Sequence, residues 1–191
     1  MRIITGKAKG IRLKTLEGDA TRPTSERVKE AVFSMIQFDI EGRSVLDLFA
    51  GSGQLGLEAL SRGASTATFV DKSREAVAII KDNVQKAKFS DQSEIYQTEA
   101  LSFIARCGSK KFDIVFLDPP YALKMYTPVL RALLDKEVLK PTSLIVCESG
   151  EDAIFDGDTK LEEMFSVEKK SQYSKTVVTI LKPKISEDNN E

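Results

Sequence analysis

Apolar residues are scattered in the first part of the chain and become periodic further on. Over residues 1–16 they surround two turn-prone glycines, a pattern that predicts a short β-hairpin. Thr24 or Ser25 then precedes apolar positions that recur every three or four residues, which predicts a helix capped by one of these two side chains. We interpret residues 1–43 as an N-terminal extension made of this hairpin and helix.

From residue 44 onward, short apolar runs alternate with amphipathic segments. The predicted strands cover residues 44–49, 67–70, 94–97, 113–117 and 143–148, and the predicted helices cover 54–61, 74–88, a segment from Ala100, and 126–135. Near-continuous apolar strands that alternate with helices are typical of a parallel sheet covered on both faces. The pattern therefore predicts a doubly wound α/β domain over residues 44–185.

The alternation stops after Gly157. A short predicted helix around Leu161 is followed by two strand candidates, residues 167–172 and 176–181. Consecutive strands joined by a tight turn must run antiparallel, so we expect the sheet to end in a hairpin. The polar residues 186–191 are interpreted as a disordered tail.

Composition excludes several classes of protein. The chain has no histidine, which excludes Ser-His-Asp hydrolysis, Cys-His proteolysis and HExxH metalloproteases. Its two cysteines, Cys107 and Cys147, lie far apart without a CxxC partner, so neither a disulfide framework nor a metal site is expected. The apolar runs are far shorter than the ~20 residues of a membrane-spanning helix, and the first residues lack the apolar block of a signal peptide. We expect a cytoplasmic protein without a membrane or metal partner.

Positive charge is concentrated at the N-terminus. Residues 1–29 contain eight Lys or Arg and three Asp or Glu, a net charge of +5, whereas the whole chain carries −1. Clustered cations bind nucleic acid because they release counterions from the phosphate backbone. A solvated basic hairpin without a partner is the alternative interpretation.

A GxGxxG motif from Gly51 to Gly56 lies directly between a predicted strand and a predicted helix. Glycines there allow the backbone to turn sharply and to approach a ligand at the carboxyl edge of the sheet. Asp71 ends the second strand, where a carboxylate can accept hydrogen bonds from both hydroxyls of a ribose. Asp47, just before the turn, would repel a pyrophosphate but attract the ammonium of S-adenosylmethionine. The motif therefore favours this methyl donor over NAD.

Glu99 and Ala100 follow the third predicted strand and are expected at the same edge of the sheet. They could contact the adenine of the cofactor. Glu99 is equally compatible with a plain role as an acid at the start of a helix, where the positive end of the helix dipole favours negative charge.

Asp118, Pro119, Pro120 and Tyr121 follow the apolar residues 114–117. Two consecutive prolines fix φ and lack backbone N–H groups, so the carbonyls of Asp118 and Pro119 would point outward as rigid acceptors. A carboxylate and a carbonyl could hold the amine of a nucleobase and stabilise the positive charge of its methylation, while Tyr121 stacks on the base. A proline-rich loop with a surface tyrosine is the alternative.

Several of these segments together resemble one known family. They are Arg2 to Ile4, Arg22 to Thr24 with Arg27 and Val28, the run LDLFAGSGQLGLEALSRG at residues 46–63, and Asp118 to Tyr121. In one register over roughly residues 1–182, the combination resembles the RsmD-type family of small-subunit ribosomal RNA guanine-N2 methyltransferases. Two positions depart from the family pattern: Glu99 stands where Asp is more usual, and Ser174 where we would expect Gly.

The resemblance implies a class I, Rossmann-like methyltransferase with a seven-stranded, mostly parallel sheet, S-adenosylmethionine as cofactor, and 16S ribosomal RNA or the assembling small ribosomal subunit as partner. With the positions argued above, the cofactor-binding candidates are Asp47, Ala50, Gly51, Gly53, Asp71, Glu99 and Ala100. The catalytic candidates are Asp118, Pro119 and Tyr121. The candidates for RNA contact are Lys7, Arg12, Arg22, Thr24, Arg27 and Lys29.

Three other functions remain as alternatives. A DNA adenine or cytosine amino-methyltransferase would share the glycine motif and the Asp-Pro-Pro-Tyr segment, but such enzymes usually need an additional region to read sequence and flip the base. A nicotinamide oxidoreductase is disfavoured by Asp47. A non-catalytic RNA-binding assembly factor would have no need of Asp71 and Asp118, which are both present.

Overall fold

A computed structural model describes residues 1–16, 26–120, 124–150 and 154–185. The strands are β1 (Ser44–Asp47), β2 (Thr66–Asp71), β3 (Ser93–Gln97), β4 (Phe112–Leu117), β5 (Leu139–Ser149), β6 (Phe165–Tyr173) and β7 (Thr176–Pro183). The helices are α1 (Glu26–Met35), α2 (Gln54–Ser61), α3 (Arg74–Ala87), α4 (Ala100–Arg106), α5 (Tyr126–Asp135) and α6 (Thr159–Glu163), with a 3-10 turn at Ser90–Gln92. The predicted alternation of strands and helices is present, with different ends for several elements.

The seven strands form one sheet in the order β3-β2-β1-β4-β5-β7-β6. The first five of these strands are parallel to one another, and β7 runs antiparallel to both β5 and β6. The predicted parallel sheet with a final antiparallel hairpin is therefore confirmed. The strand order reverses between β1 and β4, which is where open α/β sheets bind ligands beyond the carboxyl ends of their strands.

Apolar side chains cover both faces of the sheet. One cluster packs Val32 of α1, Leu57 of α2 and Ile80 of α3 against the sheet, and it also contains Ile3 and Leu13 of the N-terminal segment. A second cluster packs residues of α4, α5 and α6 against the opposite face. Burial on both faces explains why the parallel strands have near-continuous apolar sequences.

Residues 1–16, which we call the N-terminal arm, form less β-structure than predicted. Arg2 and Arg12 make a single antiparallel bridge. The amides of Ile4 and Thr5 donate to the carboxylate of Glu58 on α2, at 2.7 and 3.0 Å, instead of to a second strand. The amides of Ile3 and Leu13 donate to the carbonyls of Ile11 and Met1, both at 3.0 Å, so the arm is held by its own backbone pairing as well as by helix α2. The predicted helix caps Thr24 and Ser25, and the predicted tail 186–191, lie outside the described residues.

The hairpin between β6 and β7 turns through Ser174. Ser174 has φ 57, in the left-handed region that disfavours residues with a Cβ. This conformation explains why glycine is expected at position 174. The Cβ of Ser174 makes the same conformation less favourable for serine.

Candidate active site

Three carboxylates lie at the carboxyl ends of adjacent parallel strands. Asp47, the last residue of β1, is level with Phe69 of β2 and with Phe116 of β4. Asp71 is the last residue of β2 and Asp118 directly follows β4, so the two acids flank Asp47 at the same edge of the sheet. The topology thus brings together the acids predicted from sequence for the cofactor and for the amine.

The glycine turn, residues 51–53, connects β1 to α2. Gly51 and Gly53 have φ 54 and 77, both in the left-handed region. A Cβ on Gly51 would meet no atom within 4 Å, so this side of the turn faces open space in which a ligand can approach the backbone. At Gly56, in contrast, a Cβ would lie 2.3 Å from the ring of Phe69, so this glycine allows α2 to pack closely on β2.

The carboxylate of Asp71 binds both the glycine turn, which leads into α2, and the residue that caps α3. One of its carboxylate oxygens accepts a hydrogen bond of 2.8 Å from the Gly51 amide, and the other accepts one of 2.8 Å from the Ser73 amide. Ser73 in turn caps α3, since its hydroxyl accepts from the Ala76 amide at 3.3 Å. Each carboxylate oxygen has a further lone pair, so Asp71 can also accept hydrogen bonds from a ribose.

Asp47 is almost completely buried, with 2% of its surface exposed. Burial, together with the neighbouring negative charge of Asp71, raises the pKa of Asp47 to about 7, although a hydrogen bond from the Gly56 amide at 3.2 Å opposes this shift. A nearby positive charge stabilises the ionised form of a buried carboxylate. Asp47 is therefore suited to bind an ammonium group.

Gln54, the first residue of α2 and next to the glycine turn, is a candidate site residue that the sequence analysis missed. The side chain is buried, and its Oε1 has no hydrogen-bond partner among the described residues. A buried amide oxygen without a partner is costly unless a ligand or water supplies a donor. The only signal in the sequence was a long polar residue inside the glycine motif.

Glu99 and Ala100 lie at the start of α4, beside the end of β3. The amide of Thr98 donates to the Asp71 carbonyl at 3.0 Å, which places this segment next to Asp71 at the expected edge. Glu99 is exposed, and its carboxylate lies 3.9 Å from Nζ of Lys72. Ala100 is buried in the apolar cluster below α4.

The predicted amine site begins where β4 ends. All six residues of β4 are buried, Asp118 is half-buried, and Pro119 is buried. The sequence therefore changes from an apolar strand to a polar edge within one residue, at the switch point of the sheet. Tyr121 lies outside the described residues.

The residues predicted to contact RNA differ in their exposure to solvent. Lys7, Arg12 and Arg27 are exposed, as contact with RNA requires. Arg22 and Thr24 lie outside the described residues.

The prediction for Lys29 is wrong. Lys29 is 0% exposed, its Nζ donates to the Arg2 carbonyl at 2.6 Å, and it lies 3.6 Å from the Glu58 carboxylate. Burial lowers the pKa of Lys29, against the opposing effect of Glu58. Lys29 precedes Val32 and Phe33 by three and four residues, so the helical spacing of the apolar face could have revealed its inward orientation.

Metal-binding clusters and membrane-spanning helices are both absent from residues 1–16, 26–120, 124–150 and 154–185. Those ranges contain no cluster of three or more His, Cys, Asp or Glu side chains able to hold a metal ion. No helix in the described part of the chain has the length and apolar character needed to cross a membrane.

The strand order, the glycine turn and the acids at the carboxyl edge define a class I, Rossmann-like methyltransferase fold. The solved structure of the yhhF protein from Escherichia coli has a similar fold, with a TM-score of 0.83 and 29% sequence identity. The similarity covers 97% of this chain and 99% of that chain.

Sequence comparison gives the family. The family model described as conserved hypothetical protein 95 matches residues 1–182. Ribosomal RNA small subunit methyltransferase D from Haemophilus influenzae is 38% identical over 154 residues, 80% of this chain and 80% of that protein. The YlbH protein of Bacillus subtilis is 35% identical over 187 residues, 95% of this chain and 98% of that protein. The chain therefore belongs to this family, and the predicted RsmD-type membership is confirmed.

Proposed function

We propose that this protein methylates the exocyclic N2 amine of a guanine in small-subunit (16S) ribosomal RNA, with S-adenosylmethionine as the methyl donor. The observation that carries the proposal is the placement of Asp47, Asp71 and Asp118 at the carboxyl ends of three adjacent parallel strands, next to the switch point of the sheet. The names of relatives, among them ribosomal RNA small subunit methyltransferase D, support the substrate class. Such a reaction belongs in the cytoplasm, where ribosomal subunits of bacteria assemble.

The residues around the glycine turn fit S-adenosylmethionine. Asp47 is buried and has a raised pKa, so the ammonium of the methionine part would offset its unfavourable burial. Gly51 leaves open space beside the backbone, and Gln54 carries a buried acceptor that needs a donor. Asp71 would accept hydrogen bonds from the ribose, while Glu99 and Ala100 would lie against the adenine.

The amine of guanine needs activation because its lone pair is delocalised into the ring. When bound, S-adenosylmethionine supplies a methyl group on a positively charged sulfur. The Asp118 carboxylate and the Pro119 carbonyl would accept hydrogen bonds from the amine and so localise its lone pair on nitrogen. The carboxylate would also stabilise the positive charge that develops there, an electrostatic effect that requires a fixed acceptor.

Two other parts of the chain would hold the RNA. The ring of Tyr121 would stack on the guanine, since stacking between a base and an aromatic ring contributes ~1–3 kcal/mol. The exposed Lys7, Arg12 and Arg27 would contact phosphates, as Arg22 and Thr24 would too, and so position the RNA without reading its bases. The specificity would then come from the amine site.

The test is methyl transfer by the purified protein from radiolabelled S-adenosylmethionine to RNA of cells that lack it, followed by mass spectrometry of the nucleosides. We expect N2-methylguanine in small-subunit ribosomal RNA, and loss of that nucleoside from the RNA of the deficient cells. N6-methyladenine in DNA would instead favour a DNA amino-methyltransferase. RNA binding without methyl transfer under saturating cofactor would favour an assembly factor.

A further inference from the structure

Asn83, in the middle of α3, is completely buried and connects two parts of the molecule. Its Oδ1 accepts a hydrogen bond of 2.8 Å from the Lys14 amide, and its Nδ2 donates to the Lys14 carbonyl at 3.0 Å. The same Nδ2 donates to the Ser52 carbonyl at 2.9 Å. One side chain therefore joins the N-terminal arm to the glycine turn.

The orientation of this amide follows from its partners. The Lys14 N–H is a donor and must face Oδ1, whereas the carbonyls of Lys14 and Ser52 are acceptors and must face the two hydrogens of Nδ2. Both hydrogens of Nδ2 and one lone pair of Oδ1 are thus used, so each polar atom of this buried side chain has a partner. An aliphatic residue of the same size would leave three partly buried backbone groups without their partner.

Lys86, one turn further along α3, provides a useful contrast. Its Nζ donates to the Arg12 carbonyl at 2.7 Å, so it also fixes the N-terminal arm to α3. This hydrogen bond is directed at the arm and not at the glycine turn. Lys86 therefore attaches the arm to α3, whereas Asn83 attaches the arm and also contacts the glycine turn. Substitution of each residue can distinguish the two effects.

We propose that Asn83 is a positioning residue that couples RNA contact at the N-terminal arm to cofactor binding at the glycine turn. This inference rests on the proposed function, in which the arm contacts RNA and the turn contacts S-adenosylmethionine. Gly51 and Gly53 leave the turn free to adopt other backbone conformations, and the hydrogen bond to Ser52 restricts this freedom. RNA that orders the arm around Lys14 orders Asn83 as well, and with it the turn.

The coupling has a thermodynamic consequence. If RNA stabilises the conformation of the turn that binds the cofactor, the cofactor must stabilise RNA binding by the same factor. We therefore expect S-adenosylhomocysteine, the unreactive product, to bind at least about fivefold more tightly in the presence of saturating small-subunit ribosomal RNA than in its absence. Calorimetry with the full-length protein measures both affinities.

The wild-type result separates this inference from the proposed function. Methyl transfer is assayed in the same preparation. Equal affinities for S-adenosylhomocysteine with and without RNA would overturn the coupling, even if methyl transfer were normal. Absence of methyl transfer and of RNA binding would instead overturn the proposed function.

Two variants test the role of the side chain itself. Asn83→Ala removes all three hydrogen bonds, whereas Asn83→Asp keeps the size and the acceptor for the Lys14 amide and loses only the donor. We expect the RNA-dependent gain in affinity to fall to about onefold in both variants and to persist in the matched control Lys86→Met.

Thermal unfolding followed by circular dichroism shows whether each variant is folded, and Asn83→Asp serves as the informative variant if Asn83→Ala does not fold. A purely structural Asn83 would lower the melting temperature and leave the coupling intact, which would overturn the proposal. Equal loss of coupling in Lys86→Met would also overturn it, because that variant leaves the Ser52 hydrogen bond in place.

Discussion

The carboxylate of Asp71 accepts a hydrogen bond of 2.8 Å from the backbone amide of Gly51. The last residue of β2 therefore holds the turn that follows β1. This contact joins β2 to the turn that follows the neighbouring strand β1 at the carboxyl edge of the sheet, and it places the expected ribose acceptor beside the open side of the glycine turn.

Substitution of Asp71 should weaken cofactor binding. Asp71→Ala removes a charge-assisted acceptor and loosens the glycine turn, so we expect a loss of ~1.5–3 kcal/mol, roughly 10- to 150-fold in the Kd for S-adenosylhomocysteine. Calorimetry measures this change directly. Asp91→Ala, which alters an exposed acid outside the site, is the control and should bind like the wild type. Equal affinity of Asp71→Ala and the wild type would reject the assignment to the ribose.

Cofactor binding should depend on pH because of Asp47. Its pKa of about 7 means that the carboxyl group is largely protonated below neutral pH and cannot attract the ammonium of the cofactor. We expect the affinity for S-adenosylhomocysteine to fall roughly five- to tenfold between about pH 7.5 and about pH 6, in proportion to the ionised fraction. Binding titrations across this range test the prediction, and a flat profile would contradict it.

The control for this pH dependence is Asp47→Asn. The folded carboxyl group has a pKa above its unfolded value, so the wild type loses stability as pH rises through about 7. Asn cannot ionise, so the variant without cofactor should be more stable than the wild type near pH 8, by on the order of 2–4 kcal/mol, and the difference should vanish towards pH 4. Its cofactor affinity should be weak at every pH.

Asp118 should matter for turnover more than for binding. Asp118→Ala removes an acceptor at the point where positive charge develops, so single-turnover methyl transfer at saturating RNA and cofactor should slow by a factor on the order of 10²–10³. RNA and cofactor affinities should remain close to those of the wild type. A near-normal rate would show that the carboxylate has a structural role only.

Charge reversal in the N-terminal arm should weaken RNA binding through electrostatics. Lys7→Glu and Arg12→Glu should raise the KM for RNA and reduce the salt dependence of RNA binding by about one unit of slope per lost phosphate contact. Cofactor affinity measured without RNA should change little. RNA binding by the wild type that is independent of salt would contradict this account.

Lys29→Met is the control for the substitutions of the exposed residues Lys7 and Arg12. Lys29 is buried beside Glu58, so its removal should leave the salt dependence of RNA binding unchanged. It should instead destabilise the protein by about 3 kcal/mol, because Glu58 then stays buried with less compensating charge. Denaturant unfolding and RNA titrations of the same preparation separate the two effects.

Ser174→Gly should stabilise the protein slightly. Ser174 has φ 57 in the turn between β6 and β7, and glycine adopts this conformation without the penalty of a Cβ. We expect a gain of up to ~1 kcal/mol in the free energy of unfolding, with no change in methyl transfer. Ser174→Ala keeps the Cβ and should show no gain, so equal effects of the two substitutions would contradict the explanation.

The sequence by itself determined the features that depend on local pattern. The apolar strands, the amphipathic helices and the glycine motif are encoded by residues that are close in the chain, and the rules of parallel sheets then bring Asp47, Asp71 and Asp118 to one edge. The order of segments also determined the antiparallel end of the sheet, since a tight turn permits no other arrangement.

Only the tertiary structure decided how distant groups pair. Lys29 looked like one more cation of a basic segment, but α2 brings Glu58 against it and the pair becomes buried. The arm is attached to α2 because Glu58, more than 50 positions away in the chain, accepts hydrogen bonds from the amides of Ile4 and Thr5. Asn83 gains its partners from residues 69 and 31 positions away. Burial and hydrogen bonding of this kind depend on long-range packing, which no local pattern of residues specifies.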